Sequence, residues 1–143
     1  MHYDVTADIR APAETIWEII TDAGRYPDWD SGVERIEGDI APGEKIKVFS
    51  EMNPGRGFPI KVTEFEPAQR MTWTGGMPLG LFKGIRTFRL TPGPDSTTRF
   101  EMRESFSGPL LPLMRRSMPD FGPSFEQYGA GLKALAESRT GPG

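Results

Sequence analysis

The stretch FGPSFEQYGAGLKALAES, residues 121–138, decides how the chain is read. Its apolar residues Phe121, Phe125, Tyr128, Leu132 and Leu135 recur at gaps of four, three, four and three. That period places them on one face of a helix. Glu126, Lys133, Glu137 and Arg139 fall on the other face. The helix is expected to start near Asp120 or Ser124, the latter forming a capping-box pattern with Gln127. A helix with one long apolar stripe needs a partner surface.

The preceding residues supply one. The run from Thr97 to Ser107 alternates, with Phe100, Met102 and Phe106 inward and Arg99, Glu101 and Arg103 outward. Phe82, Phe88 and Leu90 share a face, as do Met71 with Trp73, Phe58 with Ile60 and Val62, and Ile46 with Val48. An interrupted strand, expected to be bulged, covers Val33 to Ile40. Turn sequences such as Asn53-Pro54-Gly55 and Pro92-Gly93-Pro94-Asp95 separate these runs. Near the start, Tyr3, Val5, Ala7 and Ile9 alternate with polar residues. Pro12 then opens a short helix whose inward side is Ile16, Trp17, Ile19 and Ile20. The order is strand, helix, about six consecutive strands, long helix. Strands joined by short turns make an antiparallel meander with one apolar face, and the last helix covers it.

The expected architecture is therefore α+β: a curved antiparallel sheet of about seven strands wrapped on a long C-terminal helix, with one or two short helices after strand 1. Residues 1–139 read as a single domain and 140–143 as a frayed tail. With 143 residues, folding should bury roughly 70% of the unfolded chain's surface, enough for a core without staples.

Composition removes several classes of function. With no Cys there are no disulfides, iron–sulfur clusters or thiolate chemistry. One histidine, His2, cannot supply a zinc site or an ordinary His-based triad, so no metal or other cofactor is expected. A net charge of −3 argues against nucleic acid as a partner. Residues 1–10 lack the basic start and apolar run of a secretory signal, and no apolar run approaches a membrane span. A cytoplasmic protein without stable membrane insertion is the resulting expectation.

The opening strand, then Ala11-Pro12-Ala13-Glu14-Thr15-Ile16-Trp17, Asp22 and Tyr26-Pro27-Asp28-Trp29, resembles the START-like (SRPBCC) superfamily. The Gly131-Leu132-Lys133-Ala134-Leu135 run does too, and the pattern is most similar to the polyketide cyclase/dehydrase-type members. The resemblance covers nearly the whole chain. It implies a helix-grip fold with a deep pocket between sheet and C-terminal helix. Members bind lipids, polyketides, quinones, sterols or plant hormones, and some are cyclases or hydrolases. The fold does not choose among these.

Walls for such a pocket are available in Trp73, Phe82, Phe88, Phe100, Met102 and Phe106 from the sheet, and Phe121, Phe125, Tyr128 and Leu132 from the helix. Each has the alternative of simply packing as core. Two polar residues fall in phase with the inward rows, Arg86 and Glu104. A turn centred near Asp95 sets Leu90 opposite Phe100, Phe88 opposite Met102, and Arg86 opposite Glu104. An unpaired charge there would be costly, so an ion pair is expected. It forms either the polar end of a ligand site or a purely structural bridge.

The leading reading is a module that binds a small hydrophobic molecule of lipid, polyketide or aromatic type. The enzyme alternative is a cyclase or dehydratase in which Glu104 is the acid or base and Arg86 its helper, working mainly by holding a reactive chain in shape. A second alternative is a protein-interaction module with a filled core. The apolar loops Gly75 to Gly80 and Gly108 to Met118 read either as a ligand gate, with Arg115 and Arg116 near an anionic surface, or as packing or a homodimer contact.

Overall fold

The computed structural model describes residues 1–52 and 55–140; the turn expected at Asn53-Pro54 and most of the expected tail lie outside them. Strand β1 (His2–Ile9) leads into α1 (Ala13–Thr21) and a 3-10 turn (Ala23–Asp28). Six strands follow: β2 (Val33–Glu37), β3 (Lys45–Ser50), β4 (Gly57–Glu66), β5 (Arg70–Gly76), β6 (Lys83–Pro92) and β7 (Thr98–Ser107). A one-turn helix α2 (Leu111–Met114) precedes the long α3 (Gly122–Thr140). The strands form one seven-stranded antiparallel sheet in the order β1-β7-β6-β5-β4-β3-β2.

Consecutive hairpins account for β2 to β7, and β1 closes onto β7 at the other edge. Irregular pairing between Val33 and Arg35 and between Thr63 and Glu66 bends the ribbon. An extra residue on one strand raises local twist, so the sheet curls around α3. Helix α1 packs beside α3.

Side chains line up in rows across the concave face, because directly paired residues point the same way. One row runs Val5, Met102, Phe88, Met71, each buried. The next runs Tyr3, Glu104, Arg86, Trp73, Val62. Beyond it come Phe106, Gly84, Gly75 and Ile60.

Helix α3 meets this face through Phe125, Tyr128, Gly129, Leu132 and Ala136. Of the two expected starts, the earlier one is used: Asp120 Oδ1 accepts the Gly122 N–H at 2.9 Å. The Ser124–Gln127 capping box does not form. Ser124 lies inside the first turn, where its hydroxyl donates to the Phe121 carbonyl at 3.0 Å, and Gln127 Nε2 reaches Asp30 Oδ1 at 2.6 Å. Phe58 shares the face of Ile60 and Val62 in β4. It pairs with Val48 at the open end of its strand and is 41% exposed.

The far end of α3 is tied to β1. Glu137 accepts the Arg10 backbone N–H at 3.0 Å and the Lys133 ammonium at 2.9 Å. These two donors hold its carboxyl below the ordinary carboxylate range.

Candidate functional site

The row holding Arg86 and Glu104 is the boundary between two environments. On one side everything is packed. Tyr128 stacks on Phe100 with ring centroids 5.9 Å apart and lies 6.1 Å from Phe88, while Trp73 meets Phe88 at 4.7 Å. Phe88, Phe100 and Leu132 have no exposed surface, and Met102 is also buried.

On the other side the aromatics are only half-buried. Phe82 stacks on Phe106 at 5.8 Å, Phe106 on Phe121 at 5.8 Å, and Phe121 meets the edge of Tyr3 at 5.5 Å. The twelve predicted residues thus divide. Phe82, Phe106 and Phe121 form an open aromatic end; Phe88, Phe100, Met102, Tyr128 and Leu132 fill the core. Trp73, Arg86, Glu104 and Phe125 stand between.

Arg86 Nε donates to Glu104 Oε1 at 2.7 Å, with the two side chains 22% and 17% exposed. The guanidinium also lies 4.9 Å from the Phe125 ring centroid, so the helix covers it with an aromatic face. Gly84 makes room for the arrangement. A Cβ there would stand 3.1 Å from Glu104 Oε2 and 3.3 Å from the Phe106 ring. Directly across from Arg86 on β5, the Trp73 indole N–H is buried with no hydrogen-bond partner among the described residues. A buried donor without an acceptor is costly, and an oxygen-bearing ligand is one way to satisfy it.

A further buried polar contact was not expected from the sequence. Tyr26 donates its hydroxyl to the Ile20 carbonyl at 2.7 Å, and its oxygen lies 2.7 Å from the Tyr128 hydroxyl. With the single proton of Tyr26 committed to Ile20, Tyr128 must be the donor of the second bond. Burial is the main cause raising both phenols, and each lies above the ordinary tyrosine value of 10.0. The folded state therefore holds these protons more tightly than the unfolded chain. The associated stability is fully present below pH 10.0 and is lost as the pH rises beyond it. Alkaline unfolding, followed by circular dichroism, is expected to begin above about pH 10, with the tyrosinate absorbance of Tyr26 and Tyr128, two of the three tyrosines, rising in step with it. In the Tyr26→Phe/Tyr128→Phe double variant that pH dependence should shrink. In a Tyr3→Phe background, tyrosinate absorbance that rises well before unfolding would contradict the linkage.

Two open grooves lie elsewhere. One of about 400 Å³ runs between β1 and α3, along Val5 to Asp8 and Glu126 to Lys133. Another, of about 390 Å³, lies on the opposite side of the sheet among strands β3 to β6.

A curled antiparallel sheet closed on one long helix, with a polar pair on the concave face, defines a START-like helix-grip protein. A sequence profile of the family "Polyketide cyclase / dehydrase and lipid transport" matches residues 1–138, and the chain belongs to that family. Solved structures agree on the fold. The Zhui aromatase/cyclase from Streptomyces sp. R1128 superposes with a TM-score of 0.78 at 16% identity, covering 99% of this chain and 96% of that one. A START superfamily protein from Mycobacterium smegmatis gives 0.65 at 17% identity, over 96% and 98% of the two chains. The protein MLL2253 from Mesorhizobium loti gives 0.71 at 20% identity, over 96% and 98%. No curated protein matches the sequence. No helix among the described residues is long and apolar enough to cross a membrane.

Proposed function

We propose that this chain binds a small hydrophobic molecule of lipid, polyketide or aromatic type between the sheet and α3, with Arg86 and Glu104 as the polar end of the site. The observation that carries this reading is the position of the pair. It sits on the concave face where the packed core gives way to half-buried aromatics, beside an indole donor with no acceptor. A ligand whose apolar body lies along Phe82, Phe106 and Phe121 would bring a carbonyl, hydroxyl or carboxylate within reach of Arg86. Charge-assisted hydrogen bonds of this kind are the stronger ones.

Native mass spectrometry compared with denaturing conditions tests for a retained molecule and gives its mass. Affinity can be followed with 1-anilinonaphthalene-8-sulfonate, an apolar fluorophore with one anionic group. Arg86→Met should weaken its binding about tenfold or more, with a smaller loss for Glu104→Gln. Glu104→Gln keeps the side chain's shape but leaves the largely buried Arg86 guanidinium without its carboxylate, so affinity is compared after correction for the folded fraction. Unchanged affinity in both variants would remove the pair from the site.

A cyclase or dehydratase reading rests on the same two residues and on the family's description. It predicts that Glu104→Gln stops turnover of a polyketide-like substrate while leaving its binding in place.

A further inference from the structure

The convex face of the sheet carries a concentration of positive charge that the ligand site does not use. Lys45 and Lys61 are directly paired across β3 and β4, and Thr74 follows them on β5. In the adjoining row Lys47 pairs with Pro59, and Gly76 pairs with Lys83. The chain has five lysines, and four stand on this patch. None of the four makes an ion pair among the described residues. Like charges directly opposed on one sheet face destabilise it. Three of these lysines, Lys45, Lys61 and Lys83, line the groove of about 390 Å³, and none of its lining residues is acidic. In a chain of net charge −3 this is a local reversal of sign.

A second observation lies at the rim of the same groove. Met77 and Gly80 line it, and between them the 3-10 turn Pro78–Gly80 lifts Leu79 out until it is 96% exposed. Leu79 adopts φ 62°, ψ 19°, a left-handed conformation that a leucine adopts only at a cost. Met77 at 41% and Leu81 at 37% exposure flank it. The α2 segment docks alongside, through the Leu110 N–H bonded to the Leu81 carbonyl at 2.9 Å. It adds Leu113, 66% exposed, followed by the exposed Arg115 and Arg116. An apolar tip beside unpaired cations is the pattern of a surface that sits at a lipid–water boundary.

We infer that this face docks peripherally on an anionic phospholipid bilayer, with Lys45, Lys61 and Lys83 against the headgroups and Leu79 dipping into the boundary. Charge selects this occupant over a second copy of the chain, which would oppose the same lysines to one another. The inference is independent of the concave-face site, since none of these side chains belongs to it.

The test is co-sedimentation of the full chain with vesicles of phosphatidylcholine alone, or of phosphatidylcholine with phosphatidylglycerol at roughly three to one. Binding is expected to the second kind only, and to fall steeply at about 0.5 M salt. Each lysine near the surface contributes about fivefold, so the Lys45→Gln/Lys61→Gln/Lys83→Gln variant should bind about a hundredfold more weakly. That variant relieves the opposed charges, so its unfolding midpoint should not fall. Leu79→Asn should lose about tenfold while keeping the fold, because asparagine tolerates the left-handed conformation.

Equal sedimentation of the wild type and both variants overturns the inference, as does a wild type that stays in the supernatant. Titration of the groove by inorganic phosphate without vesicle binding would make it a soluble-anion site and overturn it too. A dimer that buries Leu79 in the absence of vesicles also overturns it.

Discussion

Phe100→Ala is expected to lower the unfolding free energy by about 3–5 kcal/mol, whereas Phe106→Ala should cost about 1 kcal/mol. Both residues lie on the inward side of β7, six positions apart. Phe100 is fully buried, pairs with Leu90 and stacks on Tyr128, so truncation leaves a void that neighbours cannot fill without moving. Phe106 pairs with Gly84 and packs on Phe82 and Phe121 at the half-open end, where water can enter the vacated space. The order should reverse for the anilinonaphthalene probe, with Phe106→Ala the more damaging of the two when affinity is corrected for the folded fraction. Urea unfolding of the two variants decides the first point. Equal stability losses would mean that the core extends past the Arg86 row and that the open end is filled.

Gly131→Ala should destabilise the fold by about 2 kcal/mol or more, against the usual direction of such a change. In an exposed helix interior, alanine in place of glycine gains about 1 kcal/mol. Here α3 passes directly against the backbone of Asp30. A Cβ on residue 131 would overlap the Asp30 carbonyl oxygen and stand 2.8 Å from its carbon. Backbone on both sides leaves no flexible chain end to give way. Gly129 is the internal control: the nearest atoms to its Cβ would be the Val5 side chain, from 3.0 Å, with no backbone among them, so Gly129→Ala should be much milder. A thermal-melt comparison of the two variants checks this. Gly131→Ala at or above the wild-type midpoint would refute the close approach.

These positions also show what the sequence could and could not disclose. The pairing of Leu90 with Phe100, Phe88 with Met102 and Arg86 with Glu104 is legible because one short turn, Pro92 to Asp95, fixes the register. The curved sheet and long helix follow from period and order. Depth is another matter. A period of two names the face on which Phe100 and Phe106 lie, yet gives both the same weight, although one is core and the other rim. Contacts between distant segments stay hidden for a related reason. Tyr3 comes beside Glu104 only because β1 closes onto β7, and the Tyr26–Tyr128 hydroxyl pair spans 102 positions. The lysine groove was missed because each lysine alone reads as an ordinary outward residue. Its pairing partner, known only from the register, makes it unusual.

The placement of β1 bears on how the chain is made. Its register, from Ile9 opposite Thr98 to His2 opposite Ser105, closes loops of 89 to 103 residues. The meander from β2 to β7 needs only neighbouring hairpins. During synthesis, then, β1 emerges before the meander and finds its partner nearly last, and α3 emerges later still. Closing such long loops is slow compared with hairpin formation. Until the final helix leaves the ribosome, the concave face with Trp73, Phe88 and Met102 stands wet and uncovered. An apolar face that stays uncovered until late in folding is the kind of surface on which nascent chains aggregate and chaperones act.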